Sequence, residues 1–169
     1  TLYLFDQHAA HERVFFEQLQ KQYLTQEKLT QPLLMPVVLH VSYTEKSQEN
    51  QWLEELRAMG FDIEEFGPNA YTVRGIPLFT DLSEAEDFAR YFIERAGEMK
   101  GPFDKSKTEK LAMAACKKAV KANDKLSPEE ATALFAQLSA CENPYSCPHG
   151  RPTFVRITKN EIEKLFKRI

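Results

Sequence analysis

His8 and Glu12 stand four residues apart in the stretch YLFDQHAAHERVFFE, a spacing that on a helix puts an imidazole and a carboxylate on one face, one turn apart. Such a pair can grip one ion, or belong to a solvated helix face. A second stretch, CPHGRP, sets Cys147 and His149 two residues apart and stiffens them with Pro148 and Pro152, so a thiolate and an imidazole can be presented to one point. The bland alternative is a turn whose cysteine packs inward and whose histidine is solvated. Thiolate with imidazole favours zinc over magnesium or calcium. Cys116 sits among Ala112, Ala115, Ala119 and Ala122 on a small-residue helix face and reads either as a further sulfur ligand or as a buried core thiol. Cys141 has no ligand neighbour at short spacing and reads as structural. Asp6, two residues before His8, adds an oxygen ligand or a base. His8, Glu12, Cys116, Cys147 and His149 are zinc's ligand types, drawn from three segments. A surplus over four ligands, with added carboxylates, is what a site with open positions or two ions looks like.

Such a site exists only if the elements carrying it converge. LYLF at residues 2–5 reads as a short buried strand, and AAHERVFFEQLQKQYL as the helix after it, with Asp6 at the N-cap and Val14, Phe15, Leu19 and Tyr23 near helical spacing. QPLLMP, bounded by Pro32 and Pro36, reads as an extended linker, followed by the strand VVLHVSY. TEKSQENQWLEELRAMG reads as one helix with Trp52, Leu53, Leu56 and Met59 inside and Gly60 as its stop. FDIEEF and AYTVRGIPLF read as paired strands around GPNA, and LSEAEDFARYFIERAGEMK as an amphipathic helix. Beyond the connector GPFDKS come the helix carrying Cys116, a helix from Ser127 (N-cap) and Pro128 (N1), the loop with Cys147 and His149, the strand TFVRIT and a last helix. The expected class is α+β in two lobes. Residues 1–31 and 105–169 form a discontinuous dimerisation and metal-binding catalytic lobe with a mixed sheet and helices, and 32–104 an inserted small β-α-β-β-α regulatory lobe.

The 169 residues are 43% hydrophobic and 28% charged, enough to bury a core. A net charge of −3 excludes a global positive field for nucleic acid. DNA contact then requires a local patch, a metal or another part of the molecule. The lysines at 105, 107, 110, 117, 118, 121 and 125 read as such a patch or as a solvated helix face. Three cysteines without a secreted disulfide framework point to a reducing compartment. No apolar run reaches membrane-span length and no signal-like segment is visible, so no membrane partner is expected. The chain opens at Thr1 and enters a strand at once, which reads as a fragment whose natural start has been removed.

DQHAAHERVFFE matches the motif D-Q-H-A-x2-E-x4-E of the C-terminal endonuclease and dimerisation domain of bacterial MutL-type DNA mismatch repair proteins, with Asp6, Gln7, His8, Ala9, Glu12 and Glu17 on it. ACKKAVKA resembles that family's A-C-[RK] helix motif, SCPHGRPT its C-P-H-G-R-P loop and LFKR its terminal F-x-R element. The resemblance implies a latent metal-dependent endonuclease that nicks one strand of duplex DNA. It implies Asp6 and Glu12 as catalytic carboxylates, and His8, Glu12, Cys116, Cys147 and His149 as metal ligands. Zn2+ would serve structure or regulation and Mn2+ or Mg2+ cleavage. Arg151 and Lys117, next to ligands, could contact phosphate or merely pair with surface acids. Gln31, Leu34 and Pro36 resemble the Q-x-x-[LI]-x-P peptide by which bacterial replication and repair proteins dock on the sliding clamp, an extended peptide suited to an apolar groove. The expected partners are duplex DNA, the sliding clamp, a second copy in a homodimer and, through the full-length protein, a mismatch-recognition protein. The expected location is the cytoplasm, associated with the nucleoid. Family domains begin with an additional strand before LYLF, which is absent here. The alternative is a non-catalytic zinc-stabilised dimerisation module.

Overall fold

Most helix starts are written into the local sequence. In the computed structural model, which describes residues 1–25, 27–99, 104–120 and 125–168, the elements run β1 (Leu2–Phe5), α1 (Gln7–Thr25), β2 (Thr30–His40), α2 (Tyr43–Ser47), α3 (Glu49–Ala58), β3 (Asp62–Gly67), β4 (Ala70–Pro77), α4 (Leu82–Glu98), α5 (Lys105–Ala119), α6 (Pro128–Ser139), β5 (Phe154–Ile157) and α7 (Lys159–Leu165). Lys121, Ala122 and the first half of the connector GPFDKS lie outside the described residues. Ser42, Asp81, Ser127 and Thr158 each accept the amide three residues on, while Glu45, Glu84, Glu130 and Glu161 reach back to the cap amide. These reciprocal boxes satisfy donors that helix starts otherwise leave orphaned. The α+β class is as expected.

Contacts divide the chain into two units, Thr1–Val14 with Ala122–Ile169, and Phe15–Lys121. The expected boundaries, 31/32 and 104/105, follow a change in sequence character. The contact division instead follows the second unit's core, which takes in Phe15, Phe16 and Leu19 of α1 and Leu111, Ala112, Ala115, Cys116 and Ala119 of α5.

In the second unit three antiparallel strands run in the order β2-β4-β3, with α2, α3 and α5 packed against α4. Trp52, Leu56, Tyr71, Phe88 and Phe92 are fully buried. Trp52 meets Tyr71 edge-on at 4.8 Å between centroids, and Phe61, Phe88 and Phe92 stack in series. The helix expected from Thr44 to Gly60 is broken at Gln48, whose φ of −105° and ψ of 16° leave the helical region. Glu45's carbonyl there accepts both the Gln48 amide and the Trp52 indole, which ends α2. Gly60 stops α3 at φ +99°, and a Cβ there would sit 2.5 Å from Gln22 Oε1. QPLLMP is not a linker. It continues β2, which pairs with β4 through Pro32 and again from Val37, with the register shifting in between. Two prolines without N–H groups account for the interruption.

The first unit is built on one antiparallel pair, β1 with β5, from Leu2↔Ile157 to Phe5↔Phe154. The mixed sheet expected for this lobe is replaced by that two-stranded ribbon, and the expected burial of LYLF is not realised. Leu2, Tyr3 and Leu4 are about half exposed, since two strands leave a face without a covering layer. The core is small: Ala10 and Val14 of α1 with Leu134 and Leu138 of α6, flanked by Phe5, Leu126 and Cys141.

Lys46 ties α2 to the sheet, its ammonium donating to Glu49, to Glu65 at 2.8 Å and to the Tyr71 hydroxyl at 2.7 Å. These bonds raise the lysine's pKa, and the bond from Lys46 holds Glu49 below the usual carboxylate range. Burial pushes Tyr71 up to about 12. Stability drawn from Glu49 is present above its unfolded pKa and lost as pH falls through the lowered one. Stability drawn from Lys46 and Tyr71 is complete below their unfolded values and lost as pH rises through the raised ones. The urea midpoint is therefore expected to fall above pH about 10, where free tyrosine begins to ionise. Lys46→Met should cost about 1 kcal/mol at neutral pH and flatten the acid limb. An unchanged acid limb in that variant counts against the linkage.

Candidate metal centre

Asp6 opens α1 as a side-chain cap, its Oδ1 accepting the Ala9 amide at 3.0 Å, while its own amide donates to Thr153 at 2.8 Å. This start sets the phase of the helix. One turn on, His8 Nε2 lies 3.0 Å from Glu12 Oε1, and the Glu12 side chain has no exposed surface. The 146–153 loop turns tightly: the Cys147 amide donates to Arg151, the Gly150 amide to Cys147, and Ser146 bridges to Pro152. Gly150, at φ +84°, permits the reversal. The Thr153 side chain, fully buried, anchors the far end by donating to the Pro144 carbonyl.

The result is a convergent set. One donor atom each of Glu12, Cys147 and His149 lies within 4.8 Å of the others, and His149 Nδ1 is 3.2 Å from Glu12 Oε2. Cys147 is 1% exposed. His149 is exposed as a residue, but its imidazole, where the chemistry lies, keeps only 22% of its surface. Glu12 Oε1 is buried and makes no hydrogen bond of acceptable geometry despite its closeness to His8, and His8 Nδ1 is likewise buried without a partner. Burying such groups costs free energy unless something satisfies them, and a bound ion is one standard resolution. The donor set of thiolate, imidazole and carboxylate is the chemistry zinc selects. These residues fit the metal that the sequence pattern implies.

Residues 1–126 match the family described as the MutL C terminal dimerisation domain. The chain belongs to that MutL family. Proteins named DNA mismatch repair protein MutL from Thermoanaerobacter pseudethanolicus and Clostridium tetani are each 40% identical over the whole chain, which covers 27% of their length. One from Limosilactobacillus reuteri is 38% identical over 99% of the chain and 25% of its own length. The chain thus spans about a quarter of the length of these MutL proteins. Asp6, His8, Glu12 and Cys116 fall inside the matched family segment, and Cys147 and His149 inside the span shared with full-length MutL.

The remaining candidate residues of this MutL domain are placed as follows. The Asp6 carboxylate is exposed and occupied with its cap bond, so the convergent set is formed without it. Cys116 is buried on α5 in the second unit, while the convergent set is drawn from the first unit alone. Arg151 and Lys117 are exposed. Gln31 is half-buried, its amide donating to Thr80 at 2.6 Å, Pro77 at 3.2 Å and Leu78 at 3.4 Å, whereas Leu34 is fully exposed and Pro36 exposed. Met35, 80% exposed beside Leu34, shares that surface and was passed over in the sequence; its only signal was its place inside QPLLMP. Arg13 and Thr153, which tie the loop, carry no ligand chemistry to draw the eye.

Glu12→Gln replaces a buried carboxylate, one of whose oxygens is unsatisfied, by a neutral amide and removes a candidate metal donor. In the presence of EDTA its thermal midpoint should equal or exceed that of the parent chain, while added zinc is expected to raise the parent's midpoint and to raise the variant's far less. Equal zinc-induced shifts in both proteins would remove Glu12 from the ligand set.

Proposed function

We propose that this MutL domain is a metal-dependent endonuclease nicking one strand of duplex DNA in mismatch repair. The observation that carries the reading is the buried Glu12 carboxylate, one oxygen unsatisfied, facing the Cys147 thiol and the imidazoles of His8 and His149. Glu12, His8, Cys147 and His149 would hold the metal; Cys116 is a candidate on its motif alone. When bound, zinc would fix the centre, and Mn2+ or Mg2+ would supply Lewis-acid charge for phosphodiester hydrolysis. Asp6 then orients a water or takes its proton, since its carboxylate is exposed at the start of α1 rather than enclosed. Arg151, exposed at the rim of the loop, is available to phosphate, as is Lys117 on α5.

With a net charge of −3 the domain has little field of its own for DNA. Recruitment by a sliding clamp already encircling DNA resolves this, with Leu34 as the apolar anchor on the interrupted stretch of β2 and Gln31 and Pro36 holding its shape. A homodimer is supported by the apolar surface of the first unit, where Leu2, Tyr3, Leu4, Phe135 and Val155 are exposed. The full-length protein would meet its mismatch-recognition partner at the nucleoid. The second reading, a zinc-stabilised dimerisation module without catalysis, is favoured by one observation, the engagement of Asp6 in helix capping.

Incubation with supercoiled plasmid and Mn2+, with and without clamp, separates the two. Nicked circles are expected. Asp6→Asn keeps a good cap residue and should lower nicking by about 10²-fold or more; equal nicking by that variant would sink the catalytic assignment. Leu34→Ala should weaken clamp binding by roughly tenfold without moving the thermal midpoint, because the side chain is fully exposed. Unaltered clamp affinity would place docking elsewhere.

A further inference from the structure

Glu12 and Arg13 are consecutive, so their side chains leave α1 about 100° apart, yet both reach the same loop. Glu12 Oε2 meets His149 at 3.2 Å, and Arg13 Nε donates to the Ser146 carbonyl at 2.6 Å. The loop is thereby held to the helix on both sides of Cys147. Its internal bonds, from Cys147 to Arg151 and from Gly150 to Cys147, shape the turn without attaching it to α1. The backbone bond from Asp6 to Thr153 attaches its far end. Of the side-chain ties to α1, Glu12–His149 joins two candidate ligands and is given up when both turn to an ion. Arg13–Ser146 uses no ligand atom and persists.

We infer that Arg13 is a positioning residue of the metal centre, fixing Cys147 at its distance from Glu12 through the carbonyl of Ser146. The inference rests on the metal-binding reading given above. Arginine suits the task because its guanidinium stays charged and its fork of donors is rigid, so little freedom is lost in holding one carbonyl. The immediate neighbours of ligands commonly tune affinity in this way.

The test is titration of the whole chain with Co2+, following the thiolate-to-cobalt absorption that reports Cys147 ligation. The parent chain is expected to bind with that band and Glu12→Ala to lose it. Arg13→Ala and Arg13→Met, the latter matching the reach of Nε but carrying no donor, should each bind at least about tenfold more weakly with a diminished band. Arg13→Lys, long enough to reach the carbonyl, should recover most of the affinity. Far-UV circular dichroism and thermal midpoints in EDTA are recorded alongside. A lowered midpoint in EDTA with cobalt affinity within about twofold of the parent assigns Arg13 to the fold alone and overturns the inference. So does equal affinity in the Lys and Met variants, a comparison that still decides the matter should Arg13→Ala fail to fold. Absence of cobalt binding by the parent chain sinks the metal reading itself, and is distinguishable from parental binding that is indifferent to Arg13.

Discussion

A carboxylate without exposed surface is the constraint around which the first unit is arranged. Glu12 lies one turn from His8 and faces a loop far along the chain, and its burial is tolerable only because imidazoles and a thiol converge on it. The core of this unit is too small to explain the enclosure. Ala10, Val14, Leu134 and Leu138 hold α1 to α6, while polar ties on Ser146, His149 and Thr153 hold the loop to α1. A unit of this size draws much of its definition from its polar centre, and a metal there would serve stability as directly as chemistry.

The second unit is organised differently. Its aromatic series, from Trp52 and Tyr71 to Phe61, Phe88 and Phe92, gives a conventional core. Its distinctive feature is β2. This strand lies at one edge of the β2-β4-β3 sheet, the position from which unwanted pairing with other chains starts. Pro32 and Pro36 remove two donors along it and displace the register, so the strand exposes Leu34 and Met35 while offering a poor template for strand addition. Gln31, held by three carbonyls, keeps the interruption in one shape.

What could be read in the sequence was local or chemical. Ser127 with Pro128, Asp6, and Gly60 announced their caps and stop because the physics of helix ends acts over three or four residues. Donor types suggested Glu12, Cys147 and His149 as neighbours, but equally drew in Cys116, which the convergent set does not include. The exposure of LYLF was not, since burial of a strand depends on how many strands and layers surround it, which four residues do not encode. The break at Gln48 was hidden because it turns on the indole of Trp52 competing for a backbone carbonyl. Arg13 was invisible for a related reason: its acceptor is a main-chain oxygen, and every residue has one. The Phe15–Lys121 unit could not be delimited from the pattern, because Phe15 and Phe16 share a helix with the candidate ligands His8 and Glu12 yet belong to a different core.

The contact between Glu12 and His149 spans 137 residues of chain. Closing so long a loop is costly in entropy until the intervening unit has condensed and shortened the path. During synthesis the helix bearing His8 and Glu12 precedes the loop bearing Cys147 and His149. The two halves of the candidate centre therefore meet only after the residues between them have been made. A chain in which either segment is missing or unplaced holds an incomplete donor set, so a filled candidate centre would report that the two distant segments had come together.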